Sequence, residues 1–170
     1  MNDILRHILR FLIIMAMQLL LFEGLDLGTH LYPMPYILFI LLFPCTASPA
    51  VLMIWAFVFG LGLDFLSTGI AGLHTAAFVM TAALRNTFLK VVTVKGDFDN
   101  LSVPGFTLLG FSRYTFFVFL CVLTHHTTYF ILESFSFFLF WQSLARFSAS
   151  LLLNVFLILL FKKTFFERVK

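Results

Sequence analysis

Long apolar runs separated by short polar breaks dominate this chain. A spanning α-helix needs about 20 mainly apolar residues, and most of the runs approach that length. The run over residues 31–47 is the weakest, because it is short and bounded by prolines. The pattern predicts an all-α membrane protein with one domain over residues 1–170. Its six predicted spans are roughly residues 4–24, 31–47, 50–66, 70–92, 113–133 and 136–161.

The amino-acid composition agrees with this prediction and excludes several classes of protein. Hydrophobic residues make up 61% of the chain and charged residues 11%, whereas about 25% of a soluble domain is charged. These values exclude an ordinary soluble domain, a disordered chain and a nucleic-acid-binding module. The unbroken apolar runs also exclude a membrane β-barrel, in which apolar and polar residues alternate. Phe is abundant, and its bulk suits lipid-facing surfaces.

The positions of Lys and Arg predict the orientation of the helices. Ten of the 11 basic residues form three clusters: at the N-terminus, around a polar loop over residues 94–112, and in the C-terminal tail. The breaks after the first, third and fifth runs carry no basic residue. Loops rich in Lys and Arg remain on the cytoplasmic side. We therefore expect both termini and the 94–112 loop to be cytoplasmic.

Ionisable residues inside the apolar runs are costly in lipid, so they are the candidate functional residues. Arg146 lies about ten residues into the sixth run, with Gln142 and Ser150 four residues away on the same helical face. It is either a structural residue, satisfied by a carboxylate or by helix carbonyls, or the anchor of a ligand site.

Asp64 near the end of the third run has two possible roles. It can pair with a basic group such as Arg146, or it can cap a helix end and face water. Gly60 and Gly62 precede it and predict close helix packing, as small residues do in membrane bundles. Gly72 and Pro35 are further positions at which we expect the backbone geometry to matter for helix packing.

The fifth run carries a polar stripe with a spacing of four residues, formed by Cys121, His125, Tyr129 and Glu133. The stripe predicts hydrogen bonds between helices or, alternatively, a proton path. His125 and Glu133 are two turns apart, which is too far for a helical pair of metal ligands. We therefore expect no metal site, and the chain shows no catalytic or phosphate-binding motif that would indicate an enzyme or a cofactor.

Two other polar residues in the apolar runs are predicted to make hydrogen bonds between helices. They are Gln18 in the first run and Asn154 in the sixth.

Residues 35–84 carry a pattern that resembles a known family. A proline, Pro35, opens the second run, a glycine-rich helix ends near Asp64, and Gly72 precedes the next helix. This pattern is similar to that of the rod shape-determining membrane protein family MreD. Ala71 stands where that family usually has Leu before the glycine. The resemblance implies a six-helix fold similar to the substrate-binding S subunits of energy-coupling-factor transporters.

The resemblance also implies a function. Members of that family are non-catalytic subunits of the bacterial cell-elongation machinery in the cytoplasmic membrane, and they bind MreC, a single-span periplasmic scaffold. Through MreC they connect MreB filaments to a SEDS glycosyltransferase and a penicillin-binding transpeptidase. Membrane lipids are the other expected partner, and nucleic acid is not.

Two other functions remain open on the sequence. An S subunit for vitamin uptake would use Asp64, His74, Gln142, Arg146 and the polar stripe of the fifth run to line an outward pocket. A proton-coupled transporter would use the stripe from His125 to Glu133.

Overall fold

The computed structural model describes residues 3–22, 31–67, 70–94, 103–133 and 140–166, although the side chains of residues 3 and 140–143 lie outside this description. These residues form helices and connecting segments, with no β-strand among them. The helices are α1 Asp3–Met17, α2 Leu38–Leu41, α3 Pro49–Leu66, α4 Leu73–Val92, α5 Phe106–Glu133 and α6 Phe140–Phe161. Helices α1 and α6 each continue into a wider π-helical turn, Gln18–Phe22 and Lys162–Phe166.

Within the described ranges, four helices are long and apolar enough to cross a membrane, which is typical of a multi-pass membrane protein. These four are Ile4–Phe22, Pro49–Leu66, Phe106–Glu133 and Leu144–Phe166. Helix α4 has a comparable length of 20 residues, but Arg85, Asn86 and Lys90 make it more polar. The fourth predicted span, over residues 70–92, is therefore helical but is not one of these four, and the second predicted span differs more strongly.

The structure corrects the predicted helix over residues 31–47, which we call the central segment. Its backbone is helical only from a 3₁₀ turn at Pro35–Ile37 through α2 at Leu38–Leu41. Pro35 opens this helical part, as the sequence indicates. Pro33 and Pro44 lack an N–H and restrict the residues before them, so the helix does not extend further in either direction. The whole stretch from Tyr36 to Leu41 is buried inside the protein.

The predicted loop over residues 94–112 is also corrected, because α5 begins earlier than expected. Residues 95–102 lie outside the described part of the chain, and helical structure starts at Phe106. The helix is interrupted at Gly110, where φ is +73° and ψ is 166°. Only glycine adopts this conformation readily, so Gly110 separates a short first turn from the regular part of α5.

Helices α3, α4, α5 and α6 pack side by side in chain order, and α1 lies against α2 and α3. Aromatic side chains fill the interior around the central segment. The ring of Phe39 is 4.9 Å from that of Phe59, and Tyr36 packs edge-on against Phe78 at 5.4 Å. Phe57 and Phe65 face outward, so the abundant Phe residues serve both the core and the lipid-facing surface.

Gly60 allows a close approach between α3 and α4. A Cβ atom at this position would lie 2.5 Å from Thr75 Cα and 2.9 Å from Thr75 N. Because both atoms belong to the backbone, the helices would have to separate. We expect Gly60→Ala to lower the free energy of unfolding by about 1–3 kcal/mol, measured by unfolding in detergent followed by circular dichroism.

Gly62→Ala provides the matched control for this prediction. A Cβ atom there would meet the flexible end of the Met15 side chain at 2.8 Å, which can move aside. We expect a loss below about 1 kcal/mol. Equal losses for the two variants would contradict a backbone contact specific to Gly60.

Candidate functional site

Polar side chains from three helices bind the backbone of the central segment. The segment is not helical at either end, so its N–H and C=O groups there have no helical partners. In a bilayer each unsatisfied backbone group costs several kcal/mol, because no water is available to replace the missing hydrogen bond. The buried polar residues of α1, α4 and α6 supply these partners.

Helix α6 binds the start of the central segment through two side chains. The amide oxygen of Asn154 accepts a hydrogen bond from Met34 N, and its Nδ2 donates to Tyr32 O at 2.7 Å. The Ser150 hydroxyl accepts a hydrogen bond from Tyr32 N at 3.0 Å. Asn154 and Ser150 are fully buried, so these groups replace the hydrogen bonds that a helix would have provided.

Helix α1 contacts both ends of the central segment. Gln18 Nε2 donates to Pro33 O at 3.1 Å, and Arg10 donates to Leu42 O at 2.9 Å. The sequence analysis predicted hydrogen bonds between helices for Gln18 and Asn154. Both residues bind the backbone at the non-helical start of the central segment, and Asn154 Nδ2 also lies 3.0 Å from His126 Nε2 on α5.

Helix α4 binds the far end of the segment through Arg85 and Asn86. The Arg85 guanidinium donates to the carbonyl oxygens of Phe43 and Pro44, and Asn86 Nδ2 donates to Ala47 O at 2.8 Å. Arg85 is fully buried. The carbonyls after α2 carry the partial negative charge of a helix C-terminus, which favours a cation at this place.

Arg85 is a functional residue that the sequence analysis missed. We counted it among the basic residues that flank the cytoplasmic loop. It lies seven residues before Val92, the last residue of α4, and therefore two turns inside the helix. This distance from the helix end is the feature of the sequence that could have identified Arg85 as a residue inside the helix.

Asp64 caps the N-terminus of α4. Its two carboxylate oxygens accept hydrogen bonds from His74 N and Thr75 N, each at 3.1 Å, and one oxygen also accepts from the Thr75 hydroxyl. Gly72 occupies the N-cap position with φ +93° and has no side chain to perform this role. Asp64 thus caps a helix as one of our alternatives stated, but it is buried and does not face water.

Gly72 has a different role from the helix packing that we expected. A Cβ atom on Gly72 would meet no atom of the described residues within 4 Å, so no close approach to them requires a glycine there. Its positive φ requires one instead, since other residues are strained in that region.

Arg146 binds Tyr32 at the end of the protein where α5 ends. Its guanidinium donates to the Tyr32 hydroxyl and lies 5.0 Å from the centre of the same ring. Glu133 is within electrostatic range of Arg146. In the described part of the chain Arg146 therefore binds Tyr32, and Asp64 binds the start of α4. These contacts do not include the predicted pair between Asp64 and Arg146. The side chain of Gln142 lies outside the described residues.

The polar stripe of α5 is buried at Cys121, His125 and Tyr129 and half-buried at Glu133, which lies near Arg146. The rings of His125 and Tyr129 stack on each other. His125 Nε2 lies 2.9 Å from the Tyr36 hydroxyl. The hydrogen bonding between helices that we predicted is therefore present at His125, and its partner belongs to the central segment.

The chemistry available to this site is mainly hydrogen bonding to the protein's own backbone. Among the described residues there is no group of three or more His, Cys, Asp or Glu side chains that could hold a metal ion. The predicted polar residues fall into three groups: Asp64 with α4, Arg146 with Tyr32, and His125 with Tyr36.

Comparisons with protein-family models, with curated proteins and with solved structures found no match to this chain. Its function is therefore inferred from its own residues and contacts.

Proposed function

We propose that this chain is a non-catalytic membrane scaffold of the bacterial cell-elongation complex, and that it binds a single-span partner of the MreC type. The observation that carries the proposal is the use of the buried polar side chains. Asn154 and Arg85 bind the backbone of the central segment, and Asp64 binds the backbone of α4. A transporter would instead keep such groups for its substrate or coupling ion.

The residues behind the resemblance to MreD have structural roles in this chain, which supports the same proposal. Gly60 brings α3 against α4, Gly72 provides the turn between them, and Asp64 caps α4. Together they fix a helical hairpin. A rigid hairpin suits a protein that presents a helix surface to a partner.

The membrane-exposed surface is the expected binding surface. Lipid provides no hydrophobic drive between helices, so a partner helix must bind through close packing and shape. Large apolar side chains such as Phe57, Met80 and Phe156 point outward and can take part in such packing. We further propose six membrane passes in the cytoplasmic membrane, with the central segment as the second pass and both termini cytoplasmic.

Photocrosslinking in native membranes tests this proposal. A photoreactive residue is placed at one exposed position on each long helix, and the crosslinked proteins are identified by mass spectrometry. Phe78, which is fully buried, is the control position and should give no crosslink to another protein. The exposed positions are Leu12, Phe57, Met80, Phe116 and Phe156.

The scaffold proposal predicts crosslinks to an MreC-type single-span protein from one helix or from two neighbouring helices. Crosslinks to a membrane coupling subunit that copurifies with a pair of ATPases would instead support a vitamin importer. The absence of protein crosslinks from all five positions would contradict the scaffold proposal.

A further inference from the structure

The Tyr36 hydroxyl lies between two imidazole rings from different helices. It is 2.8 Å from His74 Nδ1 on α4 and 2.9 Å from His125 Nε2 on α5. Tyr36 and His125 are fully buried, and His74 is partly buried. Unlike the bonds of Asn154 and Arg85, these two hydrogen bonds satisfy no backbone group, so the central segment does not require them.

The hydrogen-bonding capacity of these groups allows two arrangements. A phenol hydroxyl has one proton to donate, so it donates to one imidazole and accepts from the N–H of the other. In the first arrangement His74 donates to Tyr36, and Tyr36 donates to His125. In the second arrangement both directions are reversed. The positions of the nitrogen and oxygen atoms fit both arrangements. A hydrogen-bonded chain that can adopt both arrangements can transfer a proton from one imidazole to the other.

His125 also carries a buried nitrogen atom that the fold does not use. Its Nδ1 has no hydrogen-bond partner among the described residues. A buried unsatisfied polar group costs about 1–3 kcal/mol, a cost that an apolar side chain at this position would avoid. A buried group of this kind needs an explanation other than packing.

The neighbouring His126 shows how a purely structural histidine is arranged. Its Nδ1 is 3.1 Å from Val122 O, and its Nε2 is 3.0 Å from Asn154 Nδ2. A carbonyl only accepts, which favours a proton on His126 Nδ1. Each nitrogen of His126 lies within hydrogen-bond distance of a polar group, whereas His125 Nδ1 has none among the described residues.

The charges around the two imidazoles differ. Burial opposes a positive charge on either imidazole. The Asp64 carboxylate on α3 accepts a hydrogen bond from His74 N at 3.1 Å, so it places a negative charge beside His74 that offsets part of this cost. On α5, His125 is surrounded by His126 and by the rings of Tyr129 and Phe78. None of these provides a negative charge, so a proton entering the group is bound more favourably at the His74 end.

We propose that His74, Tyr36 and His125 form a proton-binding site in which a proton taken up at His74 is shared with His125 through the Tyr36 hydroxyl. In the transfer step the His74 Nδ1–H bond breaks as its proton bonds to the Tyr36 oxygen. The original Tyr36 O–H bond breaks at the same time, and that proton bonds to His125 Nε2. The positive charge moves from α4 to α5, and no other reactant is required.

This site does not depend on the partner of the proposed scaffold. It would make the contact between α4, the central segment and α5 sensitive to pH. It also differs from the proton path expected from the sequence, because it leaves α5 at His125 and does not continue to Glu133.

Nitrogen NMR of the purified full-length protein, labelled with ¹⁵N-histidine, tests the proposal. Spectra are recorded from about pH 8 down to the lowest pH at which the protein stays folded, because burial disfavours the charged form of a histidine. Signals are assigned by comparison with His74→Gln and His125→Gln. We expect the His74 and His125 nitrogens to shift together in one transition, as coupled groups do. A His125 signal that stays constant while His74 titrates, or the absence of any His74 transition, would overturn the proposal.

Two further variants separate proton sharing from a simple structural contact. In Tyr36→Phe the connecting hydroxyl is missing, so the His125 response is expected to be lost while His74 still titrates. Tyr129→Phe removes a hydroxyl from a ring that packs against both imidazoles, and here the joint response should persist. If Tyr36→Phe does not fold, His74→Gln tests the same point. The proposal has the proton reach His125 from His74, so the His125 transition must disappear in this variant.

Discussion

Asp64→Ala is expected to lower the free energy of unfolding by about 2–4 kcal/mol. The substitution removes the acceptor of two backbone N–H groups, His74 N and Thr75 N, and of the Thr75 hydroxyl. It also removes a negative charge from the positive end of the α4 dipole. Unfolding of the detergent-solubilised protein, followed by circular dichroism, measures the loss.

Double-mutant cycles distinguish capping by Asp64 from an ion pair with Arg146. With Thr75→Val, which removes a hydroxyl bonded to Asp64, we expect a coupling energy of about 0.5–3 kcal/mol. With Arg146→Met the effects should add, with a coupling below about 0.5 kcal/mol, since Arg146 binds Tyr32. A large coupling to Arg146 and none to Thr75 would establish the ion pair in place of the cap.

Asn154→Leu is expected to lower the free energy of unfolding by about 2–4 kcal/mol as well. Leu has a similar volume, so the loss reports hydrogen bonding more than packing. The substitution leaves Met34 N and Tyr32 O without the amide that binds them in the interior. Hydrogen exchange adds a local measurement, and the amide protons of the central segment should exchange faster than in the unchanged protein.

Ser148→Ala on the same helix is the control for Asn154→Leu. The Ser148 side chain is exposed, and its hydroxyl donates to Leu144 O within α6. We expect a change of less than about 0.5 kcal/mol and no change in exchange of the central segment. If Asn154→Leu were as mild as Ser148→Ala, the central segment would not depend on this amide.

Proton sharing and scaffolding make separate predictions for the same interior. The scaffold requires Asp64, Arg85 and Asn154 because they hold the backbone in place. The proton-binding site requires the Tyr36 hydroxyl, which binds two side chains. Tyr36→Phe should therefore change the response of His125 to pH while leaving the partner crosslinks unchanged.

The long helices could be predicted from the sequence because their signal is local. An apolar run such as residues 50–66 satisfies its own backbone as a helix, and lipid favours that outcome whatever the neighbouring elements are. The structure places α3 at Pro49–Leu66, within one residue of the prediction. Ser48 accepts a hydrogen bond from Val51 N and fixes the start of this helix, again through a contact close in the chain.

The candidate residues could be predicted in part. Gln18, Asn154, Asp64 and His125 were recognised because a polar side chain in an apolar run needs a partner. Their actual partners could not be recognised. An ion pair between Asp64 and Arg146 was one of two open alternatives on the sequence. Only the packing of α3 against α4 brings the Asp64 carboxylate to the N-terminus of α4.

The sequence by itself determined an all-helical membrane protein, the long apolar helices and the set of polar residues within them. Only the tertiary structure decided the form of the central segment. Its backbone is bound by side chains that are distant in the sequence. Among them are Arg10, Arg85 and Asn154, which are 32, 42 and 122 positions away from the groups they bind. A local pattern carries no information about partners at that distance. The same packing that brings them together also places Tyr36 between His74 and His125.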